Sequence, residues 1–356
     1  RQVFYVVLDS HVYPPLGCVM GASLAEALLL ACFFGFLQIG VFLVIPFAIG
    51  WSAWRFPVLA LPILALYALT YFDCAEKSTK RKRAWPAFSR KFWLFKFMRE
   101  YFPQRVHIPD DFPLAKSTIQ SGDKNQFLFA LHPHGSFSEF RILLDGQLLE
   151  LLPGLEGRQI CWLAASVLFR LPVVREFCLW TGCVDAGRET ARKMLKSGHC
   201  VGVIPGGEHE QLLTTFGEEI VYVKKRTGFI KLALQFDVPV VPCYVFGVSD
   251  LHYTTKFLLG LRLFLVKQLG IAIPLSCGCY GLPTAPLKKP VDIVLGEPID
   301  FRKDDDPKKV INLEVGKDPS KEQIEIAHTK YMEALQKLFD ENKSRYGYGQ
   351  RCLKME

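Results

Sequence analysis

The stretch from Gln126 to Phe140 reads QFLFALHPHGSFSEF. An apolar run over residues 127–131 stops at His132-Pro133-His134-Gly135, and a carboxylate, Glu139, follows. A histidine beside a carboxylate is the general-base half of a nucleophilic triad, in which the carboxylate fixes the imidazole tautomer and stabilises the imidazolium. Turn histidines and zinc ligands are the competing readings. Zinc needs a third and usually a fourth ligand. Only His209 with Glu208 or Glu210 offers one, and no HxHxD-type cluster occurs. The chain also lacks a GxSxG nucleophile elbow. The expected nucleophile is therefore a substrate hydroxyl, with the protein supplying a base, oxyanion donors and positioning.

Three later stretches carry matching chemistry. TGCVDAGRET, 181–190, places Asp185 and Arg188 around a turn. VIPGGEHEQL, 203–212, follows an apolar run with Gly206 and Gly207, then Glu208 and Glu210. Paired glycines let backbone N–H groups come close to an anion or a carbonyl. KKRTGFIKLAL, 224–234, sets Lys224, Lys225 and Arg226 before a helix, whose positive N-terminal end makes a seat for phosphate or pyrophosphate.

The elements that must position these residues alternate. Strands are expected at 127–131, 160–164, 200–204, 238–246 and 291–295, and helices at 139–151, 172–180, 189–196 and 227–236. That order argues for an α/β fold with a mostly parallel sheet. Uninterrupted apolar strands such as FLFAL suit burial on both faces. Sites in such folds lie beyond the carboxyl ends of strands, where the two histidines sit. Pro133 restricts the backbone, Gly135 permits a sharp turn, and Ser136 or Ser138 is placed to cap the next helix. Glu139 then falls on its first turn, within reach of the His134 ring. Near the end, Ser320 with Gln323 makes a capping box, and Ile324, Ala327, Tyr331, Leu335 and Leu338 form one stripe of a covering helix. RKDDDPKKV, 302–310, reads as a charged loop, and no internal repeat appears.

Half of the 356 residues are hydrophobic, which points to contact with lipid. Residues 27–54 carry no charge; Arg55 interrupts, and 56–72 are uncharged again, with Pro57 and Pro62. A span needs about 20 apolar residues for a core of about 30 Å. Two successive runs fit a membrane hairpin better than a secretory signal. The basic flank KSTKRKR, 77–83, is the kind that stays cytoplasmic. The expected organisation is a stub at 1–26, a hairpin at 27–72, a basic linker at 73–100 and a cytoplasmic domain at 101–356. Trp51, Trp54, Trp85 and Trp93 are interface anchors in this reading. A further apolar tract, 257–273, contains Arg262 and Lys267, so it either lies in the interface with its charges snorkelling or is a core helix. The net charge of +8, clustered, suits anionic headgroups or a phosphorylated co-substrate and not nucleic acid. The eleven cysteines are scattered, with no CxxC pair, as expected of free thiols in a reducing compartment. The first residue is Arg1, which leaves room for a leader upstream.

In order and spacing, the sequence resembles the type-2 diacylglycerol acyltransferase family, which includes monoacylglycerol acyltransferases and wax-forming relatives. The pieces are YFP at 101–103, HPHG at 132–135, RLPVVRE at 170–176, PGGEHE at 205–210, RTGFIKLAL at 226–234, VPVVPCYVFG at 238–247 and GEPI at 296–299. The family is distantly similar to glycerophosphate-type acyltransferases, so the resemblance implies a mixed or parallel sheet flanked by helices behind an N-terminal transmembrane hairpin. His134 and Glu139 keep the spacing of the glycerophosphate-type histidine and aspartate, with Glu for Asp. PGGEHE departs from the animal pattern, while Glu210 fits the family position.

The resemblance further implies acyl transfer from acyl-CoA, as co-substrate and with no other cofactor, to diacylglycerol. The place would be the cytoplasmic face of the endoplasmic reticulum, with product passing to lipid droplets. His134 would be the base, oriented by Glu139 or Glu210. His132 would pack the turn or donate to the oxyanion, as would amides near Gly206 and Gly207. Gly135 would shape the substrate turn, and Arg175, Arg188 and Arg226 would meet the CoA phosphates. A monoacylglycerol, long-chain alcohol or lysophospholipid acceptor, a silent membrane scaffold and a metal hydrolase remain alternatives, and a homo-oligomer is compatible with all of them.

Overall fold

The computed structural model describes residues 7–8, 11–12, 21–115, 126–155, 160–303 and 310–356. The run before the two histidines becomes the strand Leu128–His132, buried along its whole length. Phe127, Phe129 and Leu131 enter one core, and Leu128 and Ala130 enter another. Alternation with apolar groups on both sides is what a central strand of a covered sheet requires.

Seven strands make that sheet: β1 Gln104–His107, β2 Leu128–His132, β3 Cys161–Ala164, β4 Cys183–Asp185, β5 Val201–Val203, β6 Val240–Phe246 and β7 Val291–Leu295. Their spatial order is β1-β7-β6-β2-β5-β3-β4. From β6 to β4 all neighbours are parallel. β7 joins β6 antiparallel and carries β1 parallel to itself, so the sheet is mixed. The sequence expectation of strands at 127–131, 160–164, 200–204, 238–246 and 291–295 holds, whereas the polar β1 and the three-residue β4 were not anticipated.

Helices cover both faces. On one side lie α1 (Leu24–Gly35), α4 (Pro86–Lys91), α5 (Trp93–Tyr101), α6 (Glu139–Leu151) and α7 (Val174–Trp180); α2 (Val41–Arg55) and α3 (Pro57–Leu69) continue from α1. On the other side lie α8 (Arg188–Lys196), α10 (Gly228–Phe236) and α12 (Lys321–Asn342). α9 (Gly207–Leu213) follows β5, and α11 (Leu259–Leu269) packs against it. The Ser320–Gln323 capping box forms as expected, with Ala327, Tyr331, Leu335 and Leu338 buried beneath α12. The charged loop expected at 302–310 lies largely outside the described residues, as does most of the N-terminal stub.

The apolar N-terminal region differs from two straight spans. α1 and α2 meet at 77° across the π-turn Phe36–Gly40, an irregularity of the kind that kinks helices. α1 packs on the domain through Ala27, Leu30 and Phe34. The second apolar run has the length instead: Pro57–Lys77, with mean hydropathy 1.8, is long and apolar enough to cross a membrane. Trp51, Trp54, Trp85 and Trp93 are all exposed.

Candidate active site

Because β6, β2 and β5 are parallel neighbours, the loops after them leave one edge of the sheet. These loops hold residues 247–252, 133–138 and 204–206. His132 ends β2 on the same face as Ala130. Its ring is fully buried near Tyr331 of α12, and Nδ1 lies 3.1 Å from Glu210 Oε2. The other ring nitrogen, Nε2, is buried and meets no partner among the described residues.

Glu210 organises the turn. Its Oε1 accepts the His134 backbone N–H at 2.6 Å, and its Oε2 accepts the Tyr222 N–H at 2.6 Å. Gly206 makes room for this carboxylate: a Cβ there would fall 2.2 Å from Oε2. Gly135 is required twice over, by a φ of +69° and by Val248, whose Cγ2 would lie 2.4 Å from an added Cβ.

His134 is only half-buried. Its Nδ1 lies 3.0 Å from the Gly135 carbonyl. A carbonyl can only accept, so that contact puts the proton on Nδ1 and leaves a lone pair on Nε2. The Ser138 hydroxyl sits 3.1 Å from Nδ1 and 3.0 Å from Nε2. Ser136 or Ser138 was expected to cap α6, and Ser138 holds the N-cap position. There it adopts the left-handed conformation (φ 52°), makes no capping hydrogen bond and turns its hydroxyl to the histidine.

Glu139 does occupy the first turn of α6, but its side chain is buried away from the His134 ring. Its Oε1 lies 2.7 Å from His252 Nε2, and both side chains are inaccessible to solvent. Glu139 or Glu210 was expected to orient His134, and the Glu139 alternative is corrected: the left-handed residue before it redirects the chain, and the carboxylate meets His252. Sequence reasoning did not single out His252. Its one signal was position, six residues past the end of a predicted strand adjoining β2. Ser136 Oγ, Glu139 Oε2 and His252 Nδ1 are buried without partners among the described residues.

The cations separate. Arg175, expected at a phosphate, is buried and bound to Asp73 (2.9 Å), Glu76 (3.3 Å) and Glu176 (3.0 Å), with its guanidinium 4.6 Å above Tyr71. Three carboxylates and a ring leave it no room for an anion, and it ties the segment after α3 to α7. Arg188 opens α8 and is exposed, outside the cavity described next. Arg226 is different. It donates to the Gly206 carbonyl (3.3 Å), lies 3.1 Å from His209 Nδ1 and covers the Tyr222 ring. The Gly207 N–H, expected as an oxyanion donor, is committed to the Ile204 carbonyl.

A cavity of about 520 Å³ opens between α9 and α11. Glu208, His209 and Arg226 form its polar wall; Leu263, Phe264 and Lys267 contribute to the other. Burial, and then the Arg226 charge, hold the His209 pKa below its usual value. Among the described residues no group of three or more His, Cys, Asp or Glu side chains is arranged to hold a metal.

Histidines and a glutamate gathered at the carboxyl edge of a largely parallel sheet define an α/β enzyme; neither His132 nor His134 lines the cavity, which is linked to their turn through Arg226 on the Gly206 carbonyl. The family model described as diacylglycerol acyltransferase matches residues 55–354. The chain is 31% identical over 278 residues to diacylglycerol O-acyltransferase 2 of Danio rerio, covering 72% of this chain and 70% of that one. It is 27% identical over 303 residues to 2-acylglycerol O-acyltransferase 1 of Bos taurus, covering 78% and 80%. A solved 1-acyl-sn-glycerophosphate acyltransferase from Thermotoga maritima aligns at a TM-score of 0.42 and 16% identity, over 90% of this chain and 98% of that one. The chain belongs to the diacylglycerol acyltransferase family and is an acyltransferase.

Proposed function

We propose that this enzyme transfers an acyl group from acyl-CoA directly to the hydroxyl of diacylglycerol, with His134 as general base. The carrying observation is the state of His134: backbone held by Glu210, Nδ1 committed to a carbonyl, ring half-exposed at the strand edge. Nε2 takes the proton from the acceptor hydroxyl as its oxygen attacks the thioester carbon. The new C–O bond forms, the C–S bond breaks, and the thiolate of CoA takes the proton from the imidazolium. Arg226, in the cavity wall, meets the CoA phosphates. His132, buried against Glu210, supports the turn from beneath.

Diacylglycerol is insoluble, so the site must meet it at a bilayer. Helices α2 and α3 expose Leu43, Phe47, Val58, Leu59 and Ile63, which supports membrane embedding of the 27–72 region as a hairpin. The basic flank at 77–83 supports a cytoplasmic catalytic domain, and the reading extends to the endoplasmic reticulum and to delivery of product to lipid droplets. Monoacylglycerol is the second acceptor to consider, because the bovine relative is named for 2-acylglycerol. The test is to incubate membranes bearing the protein with labelled acyl-CoA and a panel of diacylglycerol, monoacylglycerol and long-chain alcohol. Labelled triacylglycerol is the expected main product. Label in another ester reassigns the acceptor, and no label in any ester defeats the proposal.

A further inference from the structure

α11 is built inside out. A surface helix ordinarily turns its apolar stripe to the core and its charges to water. Here Arg262 is 5% exposed, while Leu261 and Phe264 are 53% and 55% exposed. The guanidinium is used internally, donating to the Thr255 carbonyl at 2.6 Å and towards that of Ile273 at 3.5 Å. It thereby holds the two ends of the tract together. Phe257, Leu258, Leu269, Ile273 and Leu275 extend the exposed apolar surface on both sides of the helix.

An apolar patch of this kind marks an interaction surface, and its surroundings say what covers it. The tract is continuous with the exposed N-terminal helices: Gln38, in the π-turn between α1 and α2, donates to the Pro274 carbonyl at 3.0 Å. Beyond that turn α2 exposes Leu43, Val44 and Phe47. Placing the one mid-helix arginine inward removes a charge from the face that meets the acyl chains. Lys267, exposed near the end of the helix, has a stem long enough to bring its ammonium to the headgroups.

We propose that residues 257–275 form a second membrane contact, with α11 lying in the boundary between headgroups and acyl chains. This rests on the reading that the N-terminal helices are embedded. Helices of this kind sit about 5–10 Å into the boundary. Because Leu263, Phe264 and Lys267 also line the cavity beside Arg226, the cavity opens at the lipid surface. An acyl chain can remain in lipid while its polar end meets the α9 wall. The sequence left a core helix and a snorkelling helix as equals. Arg262 turns inward and does not snorkel, so the proposed interfacial placement leaves only Lys267 to reach the headgroups.

The test uses the full chain in phosphatidylcholine nanodiscs, with p-benzoylphenylalanine placed singly at Val58, Leu261, Phe264 or the exposed α12 residue Glu333. After irradiation, lipid adducts are expected at Val58, Leu261 and Phe264, and none at Glu333. Adducts at Val58 without any at Leu261 and Phe264 would overturn the α11 contact while leaving the N-terminal membrane reading intact. Cross-links from Leu261 or Phe264 to a second copy of the chain would overturn it in favour of a protein interface. Absence of lipid adducts at every position would remove both readings together.

Discussion

The carboxylate of Glu210 lies 2.6 Å from the backbone nitrogen of His134. The contact is to the main chain and not to the ring, and this separates two jobs. Glu210 fixes where the turn runs; the Gly135 carbonyl fixes which ring nitrogen carries the proton. The same carboxylate holds the Tyr222 N–H and faces the His132 ring, so α9 and two loops share one buried anion.

Replacing Glu210 by Gln puts an NH2 group where a backbone donor now finds an oxygen. One buried N–H loses its acceptor, at a cost of about 1–3 kcal/mol. Glu210→Gln should therefore lower the melting temperature in detergent and lower kcat, with little change in KM for acyl-CoA. Unchanged stability and kcat would show that the turn does not depend on the carboxylate.

The two arginines give opposite outcomes. Arg175→Ala removes a buried guanidinium from three carboxylates, two of which, Asp73 and Glu176, keep Arg83 as a partner, and loss of its hydrogen bonds costs about 1–3 kcal/mol. It should destabilise the fold without raising KM for acyl-CoA in the fraction that remains folded. Arg226→Ala should raise KM for acyl-CoA with little loss of stability. The reverse assignment would show that the cavity beside Arg226 is not where the phosphates bind.

Glu139 supplies a third contrast. If it completed a triad with His134, removing its charge would resemble loss of a triad carboxylate, which costs about 10⁴-fold in kcat. Its partner is instead His252. Glu139→Gln, which still accepts from His252, should retain most activity. Glu139→Ala should lose about 1–3 kcal/mol of stability, because it leaves a buried imidazole unpaired. A collapse of kcat in the Gln variant would restore Glu139 to the mechanism.

Burial holds the pKa of His209 and of His328 below the usual histidine value. The unfolded chain therefore binds more protons once the pH drops below about 6.5, and stability falls as the pH is lowered through that value. Glu219, whose pKa burial raises, acts in the opposite sense, so the comparison is made against His328→Gln. Gln can still donate to the Val223 carbonyl, which His328 Nε2 meets at 3.1 Å. Between pH 7.5 and 5.5 the parent should lose more melting temperature than the variant. Equal losses would exclude His328 as a contributor.

Local signals in the chain reveal much of the frame. β2 is legible because both its faces are buried, which leaves the five-residue apolar run 127–131 overlapping it, and α12 because Ser320 and Gln323 cap it reciprocally. The turn was legible through Pro133 and Gly135. The partners were not. Glu139 and His252 are separated by 113 positions, and only the parallel pairing of β2 with β6 brings their loops together. Arg175 and Arg226 look alike as cations in loops; burial among Asp73, Glu76 and Glu176 sets the first apart. Ser138 has the composition of a cap, but its left-handed backbone points its hydroxyl elsewhere.

The central claim is that His134 takes the hydroxyl proton. The most direct measurement is initial acyl transfer from labelled acyl-CoA to diacylglycerol by His134→Ala, at matched amounts of folded, membrane-bound protein. Loss of a general base predicts a fall of about 10²–10⁴-fold with the melting temperature preserved. Turnover equal to that of the parent would contradict the account.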